Sequence, residues 1–138
     1  LLLFLFSKLV LFPPMQTFRK EERLSGKKQI DFLFANGEGF KEGSFTIIWI
    51  EKDKLLEFPA EVLISIPKKE ITKASQRNAM KRLVKEAYRK QKYKLYQQLE
   101  KQKKQIRVAI IYQKSTPLKY NEVEAEINLV LTRLISKL

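Results

Sequence analysis

Residues Lys68 to Lys92 read KKEITKASQRNAMKRLVKEAYRKQK, and the rest of the chain is organised around them. Ten of these 25 residues are Lys or Arg and only Glu70 and Glu86 are acidic, so the stretch carries +8 of the chain's net +13. From Ala74 the spacing is helical. Met80, Leu83, Val84, Ala87 and Tyr88 recur at i, i+3, i+4, i+7 and i+8, an apolar stripe suited to packing on a core. At about 100° per residue, Asn78, Lys81, Arg82, Lys85, Arg89 and Lys92 share a neighbouring arc that contains no carboxylate. A mixed Lys/Glu face would need only water. An arc of cations alone repels itself, and the obvious external partner is a polyanion such as a phosphate backbone.

Towards the N-terminus, Glu61 to Ile66 alternates, with Val62, Ile64 and Ile66 on one face, and Phe45 to Ile50 is β-branched and aromatic. These two strands are expected to pair antiparallel across a polar turn from Lys52 to Pro59. Gly39 to Gly43 reads as a loop. Ser25 is placed to cap a helix from about Lys27 to Asn36, with Gly37 as its stop. Ile30, Leu33 and Phe34 fall at i, i+3 and i+4 on it, and core packing accounts for at least one or two of them. Towards the C-terminus, the basic helix continues through Leu95, Tyr96 and Leu99 to about Gln102. Lys101, Lys103 and Lys104 lie at its end, where cations complement the helix dipole. Ile106 to Tyr112 is another alternating strand, broken by Ser115-Thr116-Pro117. Asn121 and Glu124 have capping-box spacing, and Val123, Ile127, Val130, Leu131 and Leu134 form the stripe of a last helix. The order α-β-β-(β)-α-β-α predicts a single small α+β domain with a mixed sheet and a long basic helix.

Composition narrows the chemistry. The 138 residues suit one domain, and 44% hydrophobic residues supply a modest core. The chain has neither cysteine nor histidine, which excludes disulfides, thiolate zinc sites and cysteine nucleophiles and removes the commonest general base. Its 15 acidic residues show no paired or metal-ligand spacing. No catalytic residue, metal site or bound cofactor is therefore expected in the protein, and no small-molecule substrate.

Leu1 to Phe12 is apolar apart from Ser7 and Lys8, and Pro13-Pro14 ends it. It is shorter than the roughly 20 residues of a membrane-spanning helix and lacks the marks of a signal peptide. Met15 follows directly, so the favoured reading is that translation starts there and residues 1–14 are upstream sequence, with 15–138 as the folded domain. A hydrophobic anchor or docking segment is the alternative.

The run Arg77-Asn78-Ala79-Met80-Lys81-Arg82, followed by Lys85-Glu86-Ala87-Tyr88-Arg89, resembles the signature helix of the bacterial ribonuclease P protein subunit. The approach is similar too: a strand ending Ser65-Ile66-Pro67, then Lys68-Lys69, a short loop and Ala74. Ala79 stands where that family usually has Arg, and Thr72-Lys73 where many members have Gly-Asn. Phe18-Arg19 and Arg23-Leu24 resemble the family's basic N-terminus. Leu33-Phe34 ahead of Gly37 resembles the end of its first helix, with Ile30 where an aromatic is common.

The resemblance implies a fold shared with a ribosomal protein domain. It also implies a cytoplasmic ribonucleoprotein endonuclease that removes the 5′ leader from precursor tRNA, its active site lying in the RNA subunit with bound Mg²⁺. By the same resemblance, Lys68, Lys69, Arg77, Asn78, Lys81, Arg82, Lys85 and Arg89 would bind the catalytic RNA. Phe34, Ile30 and Ile48 would line a groove for the precursor's leader, although for Ile48 core packing is the simpler role. A ribosomal or double-stranded-RNA-binding protein fits the charge and size equally well and the order of elements less well. A membrane-surface role would require residues 1–12 as its anchor.

Overall fold

The computed structural model of the protein describes residues 17–52 and 56–138. The expectations for residues 1–14 lie outside the described residues. Among the described residues no helix is long and apolar enough to cross a membrane.

The elements are α1 (Lys27–Asn36), β1 (Glu38–Glu42), β2 (Phe45–Lys52), β3 (Ala60–Ser65), α2 (Ala74–Gln102), β4 (Gln105–Tyr112) and α3 (Tyr120–Lys137), preceded by a 3₁₀ turn at Lys20–Glu22. The sheet order is β1-β2-β4-β3. β2 runs antiparallel to β1 and β4, whereas β3 runs parallel to β4, with Val62 opposite Val108.

Two sequence expectations change here. The segment read as a loop is β1, which pairs with β2 from Glu38↔Trp49 to Glu42↔Phe45. Its alternation is hard to see because Phe40 alone faces the core. The two-residue turn that follows needs a glycine. Gly43 has φ +58°, and a side chain there would run into the Glu126 carboxylate, which accepts the Ser44 N–H at 2.5 Å. Second, β2 and β3 do not pair, because β4 lies between them. β4 is apolar on both faces, with Ile106, Val108, Ile110 and Tyr112 on one and Ala109 and Ile111 on the other, as a strand covered on both sides must be.

The larger face carries Phe45, Ile47 and Trp49 of β2, Val62 and Ile64 of β3 and the four larger residues of β4. It packs on Met80, Val84, Ala87, Tyr88, Leu95 and Leu99 of α2 and on the predicted stripe of α3. On the opposite face a smaller cluster of Leu24, Leu33 and Ala109 sits beneath α1, with Ile30, Ile48, Ile50, Leu63 and Ile111 half-buried around it.

The caps differ from expectation in detail. Gly26, not Ser25, is the N-cap of α1, at φ +96°, and no side chain caps that end. α3 begins two residues early, with Glu122 accepting the Lys119 N–H at 3.1 Å in place of the Asn121–Glu124 pair. Gly37 does end α1, although its φ of −76° is ordinary. Its glycine is required by proximity, since a Cβ would stand 2.7 Å from Ile48 Cγ2 and 3.0 Å from the Trp49 carbonyl oxygen.

Candidate nucleic-acid interface

The basic residues reach the surface because α2 turns its apolar stripe onto the sheet. Lys81 and Arg82 are exposed, Lys85 is half-buried, and Asn78 is exposed one turn before them. Lys68 and Lys69 are exposed on the turn that leads from β3, where the Glu70 and Ile71 amides both donate to the Pro67 carbonyl. Arg77 is half-buried, and its Nη1 donates to the Ile71 and Thr72 carbonyls at 3.0 and 2.8 Å, fastening that turn to the start of α2. Arg77, Asn78 and Lys81 line a cleft of about 230 Å³ whose other wall is Leu63 to Ile66, at the end of β3. The structure thus joins the basic helix to the open side of the sheet.

The arc read as free of carboxylates is modified in two places. Arg89 folds back on Glu86, with Nε at 3.0 Å and Nη2 at 2.5 Å from its carboxylate. Those hydrogen bonds hold the Glu86 carboxyl below its ordinary range and the Arg89 guanidinium above its own. Lys92 leaves the arc altogether. It is 5% exposed, and its ammonium donates to the carboxylate of Glu22, itself 1% exposed, and to the Thr17 carbonyl. Tyr96 donates to the same carboxylate at 2.5 Å. Burial lowers the Lys92 pKa, opposed by the hydrogen bond and charge of Glu22. A helical wheel gives a side chain's direction, not what covers it, and here the segment from Thr17 to Leu24 lies over the helix as a strap. The signal that could have revealed this is the spacing Val84, Tyr88, Lys92, Leu95, Leu99, in which Lys92 occupies a core position.

Of the three residues assigned to a groove, Phe34 is 44% exposed, while Ile30 and Ile48 are half-buried against the Leu24–Leu33–Ala109 cluster. The sequence reading missed Phe32, which is 50% exposed with the Lys52 ammonium 5.4 Å from its ring centre. Phe32 and Phe34 lie on opposite flanks of α1, about 200° apart, with Leu33 between them facing the sheet. Among the described residues no group of acidic side chains could hold a metal ion. What the arrangement offers is a cationic helix beside a sheet surface bordered by an aromatic side chain.

A family model described as Ribonuclease P matches residues 18–135. The ribonuclease P protein component of Porphyromonas gingivalis is 32% identical over 100 residues, covering 72% of this chain and 72% of that protein. The corresponding protein of Buchnera aphidicola is 38% identical over 78 residues, covering 56% of this chain and 66% of the relative. Among solved structures, the ribonuclease P protein from Thermotoga maritima has a TM-score of 0.63 at 20% identity, over 81% of this chain and 96% of that one. The Staphylococcus aureus protein has a TM-score of 0.63 at 14% identity, over 82% and 94%. Those two likenesses concern the fold. Because the family match runs from the aromatic residue of the strap to the last turn of α3, the chain belongs to the ribonuclease P protein component family.

Proposed function

We propose that this protein is the subunit that binds the catalytic RNA of ribonuclease P and the 5′ leader of precursor tRNA, assisting cleavage by an active site made of RNA and Mg²⁺. Membership of the family implies a part in tRNA 5′ processing. The observation that carries the finer reading is the exposed cationic face of α2 opening onto the Leu63–Ile66 cleft. On this reading Lys68, Lys69, Asn78, Lys81, Arg82 and Lys85 meet phosphates of the RNA subunit, and Arg77 and Arg89 contribute the donors they do not spend within the protein. Phe34, with Ile30 and Ile48 behind it, borders the leader's path, where an aromatic face stacks on any base. Each phosphate neutralised releases condensed counterions, so the help is greatest at low salt and fades as salt rises. A ribonucleoprotein of this kind works in the cytoplasm.

The test is reconstitution with the ribonuclease P RNA of the same organism and a precursor tRNA. Cleavage at low Mg²⁺ should rise sharply when the protein is added. Tight RNA binding with no stimulation would favour a structured-RNA-binding protein without a nuclease role.

A further inference from the structure

The sheet has two outer strands, and an unpaired strand edge offers its backbone N–H and C=O groups to any other strand. At β3 the strap covers that edge. The Leu24 amide donates to the Val62 carbonyl at 2.9 Å, and Arg23 forms a parallel bridge with Val62. β1 is the other edge, and among the described residues no strand lies beyond it.

The hairpin decides which groups of β1 are open. Its two-residue turn makes Glu42↔Phe45 the closing hydrogen-bonded pair. Phe40 and Glu38 therefore also bond to β2, while Gly39 and Lys41 turn their backbone groups outward. One of those outward acceptors is occupied. Arg133 reaches round from α3, and its Nη1 donates to the Lys41 carbonyl at 2.7 Å. The same guanidinium lies 5.1 Å from the centre of the Phe40 ring, and its Nη1 is 3.6 Å from the Glu42 carboxylate. Lys137, one turn further along α3, stands 5.4 Å from the same ring centre.

A second copy of the chain is the strand donor that fits this edge. β1 carries Glu38, Lys41 and Glu42, a net −1 in a chain of +13, so another cationic copy is repelled least here. When two β1 strands pair antiparallel about Phe40, Gly39 of each faces Lys41 of the other, and both Lys41 carbonyls must accept.

We propose that the edge of β1 is a self-association surface for a second copy of this chain, and that Arg133 keeps it closed by occupying the Lys41 carbonyl. The monomer is thus guarded by a main-chain strap at one edge of the sheet and by one side chain at the other.

The test is sedimentation of the full chain at salt high enough to screen its net charge. Arg133→Ala should self-associate roughly tenfold more tightly than the parent chain, the scale of a hydrogen bond regained on each copy. Its Gly39 and Lys41 amides should exchange more slowly as concentration rises. Lys137→Ala removes a charge from the same place and leaves the carbonyl occupied, so it should sediment as the parent does. Adding Lys41→Pro to Arg133→Ala removes an outward N–H that the β1–β2 ladder does not use, and it should restore the monomer. An Arg133→Ala chain that stays monomeric overturns the proposal. So does a dimer whose Gly39 and Lys41 amides remain unprotected, or one that survives Lys41→Pro. Equal association by Lys137→Ala would make charge the barrier and overturn the role of the occupied carbonyl.

Discussion

The two halves of α2 use the same helical direction for opposite purposes. At about 100° per residue, Lys81, Lys85, Lys92, Tyr96 and Leu99 all lie within an arc of about 60°. In the first half that direction is open, and it presents Lys81 and the partly covered Lys85. In the second half it is closed, by the strap over Lys92 and Tyr96 and by the core around Leu99. Periodicity therefore says which residues share a side, while the rest of the fold decides whether that side meets water. Lysine suits both halves because its ammonium is solvated at the surface and pairs with a carboxylate inside.

The comparison is broken most severely by removing one partner of the buried pair. Glu22→Ala leaves the Lys92 ammonium without its carboxylate, and a loss of about 3–5 kcal/mol in folding stability is expected by chemical denaturation. Replacing both partners, as Glu22→Leu with Lys92→Met, should recover most of that loss. In the open half the effect should appear in binding instead. Lys81→Glu with Arg82→Glu should weaken RNA-subunit binding roughly a hundredfold at low salt, less so as salt rises, with melting almost unchanged.

The contrast extends to α1. Phe34→Ala should cost about 1–3 kcal/mol of precursor tRNA binding, read as a difference between long-leader and leaderless tRNA. Since Phe34 is 44% exposed, the variant should melt close to the parent protein. If discrimination between the two tRNAs is unchanged in a folded variant, the leader role of Phe34 is wrong.

The smallest effect at neutral pH concerns buried phenols. Burial raises the pKa of Tyr88 and Tyr96 in the closed half of α2, and that of Tyr112 on β4 to about 12. Below pH 10 these groups are neutral in both folded and unfolded chains and add no pH dependence. As pH rises above 10 the unfolded chain gives up those protons while the folded chain keeps them, so stability falls. Melting should be flat from pH 7 to 9 and drop by several degrees by pH 11, with the tyrosinate absorbance of these residues appearing together with unfolding.

Much of this architecture was legible from spacing. The bounds of α2 and the buried stripe of α3 follow from apolar periodicity, because each helix has one sheet-facing side. β1 was not legible, because an edge strand with Phe40 as its only core residue leaves almost no pattern. Nor was the insertion of β4 between β2 and β3, since partner choice is non-local, although its two apolar faces were there to be read. On the basic face of α2, spacing placed Lys81 and Arg82 on the exposed side, where the structure has them. Lys92 leaves the predicted arc because its carboxylate lies 70 residues away in sequence, where spacing along the helix cannot show it.

The position of β4 also matters for the order in which the chain is made. β2 and β3 leave the ribosome well before residue 105, yet neither pairs with the other, and both are joined through a strand that is synthesised after the whole of α2. Until then the nascent chain carries two apolar strands with open edges and a strongly cationic helix with no sheet to rest on. Local contacts can form the β1–β2 hairpin early, but the parallel β3–β4 pairing must close over the entire helix. Folding of this domain thus waits until β4 has been made, however early β2 and β3 emerge.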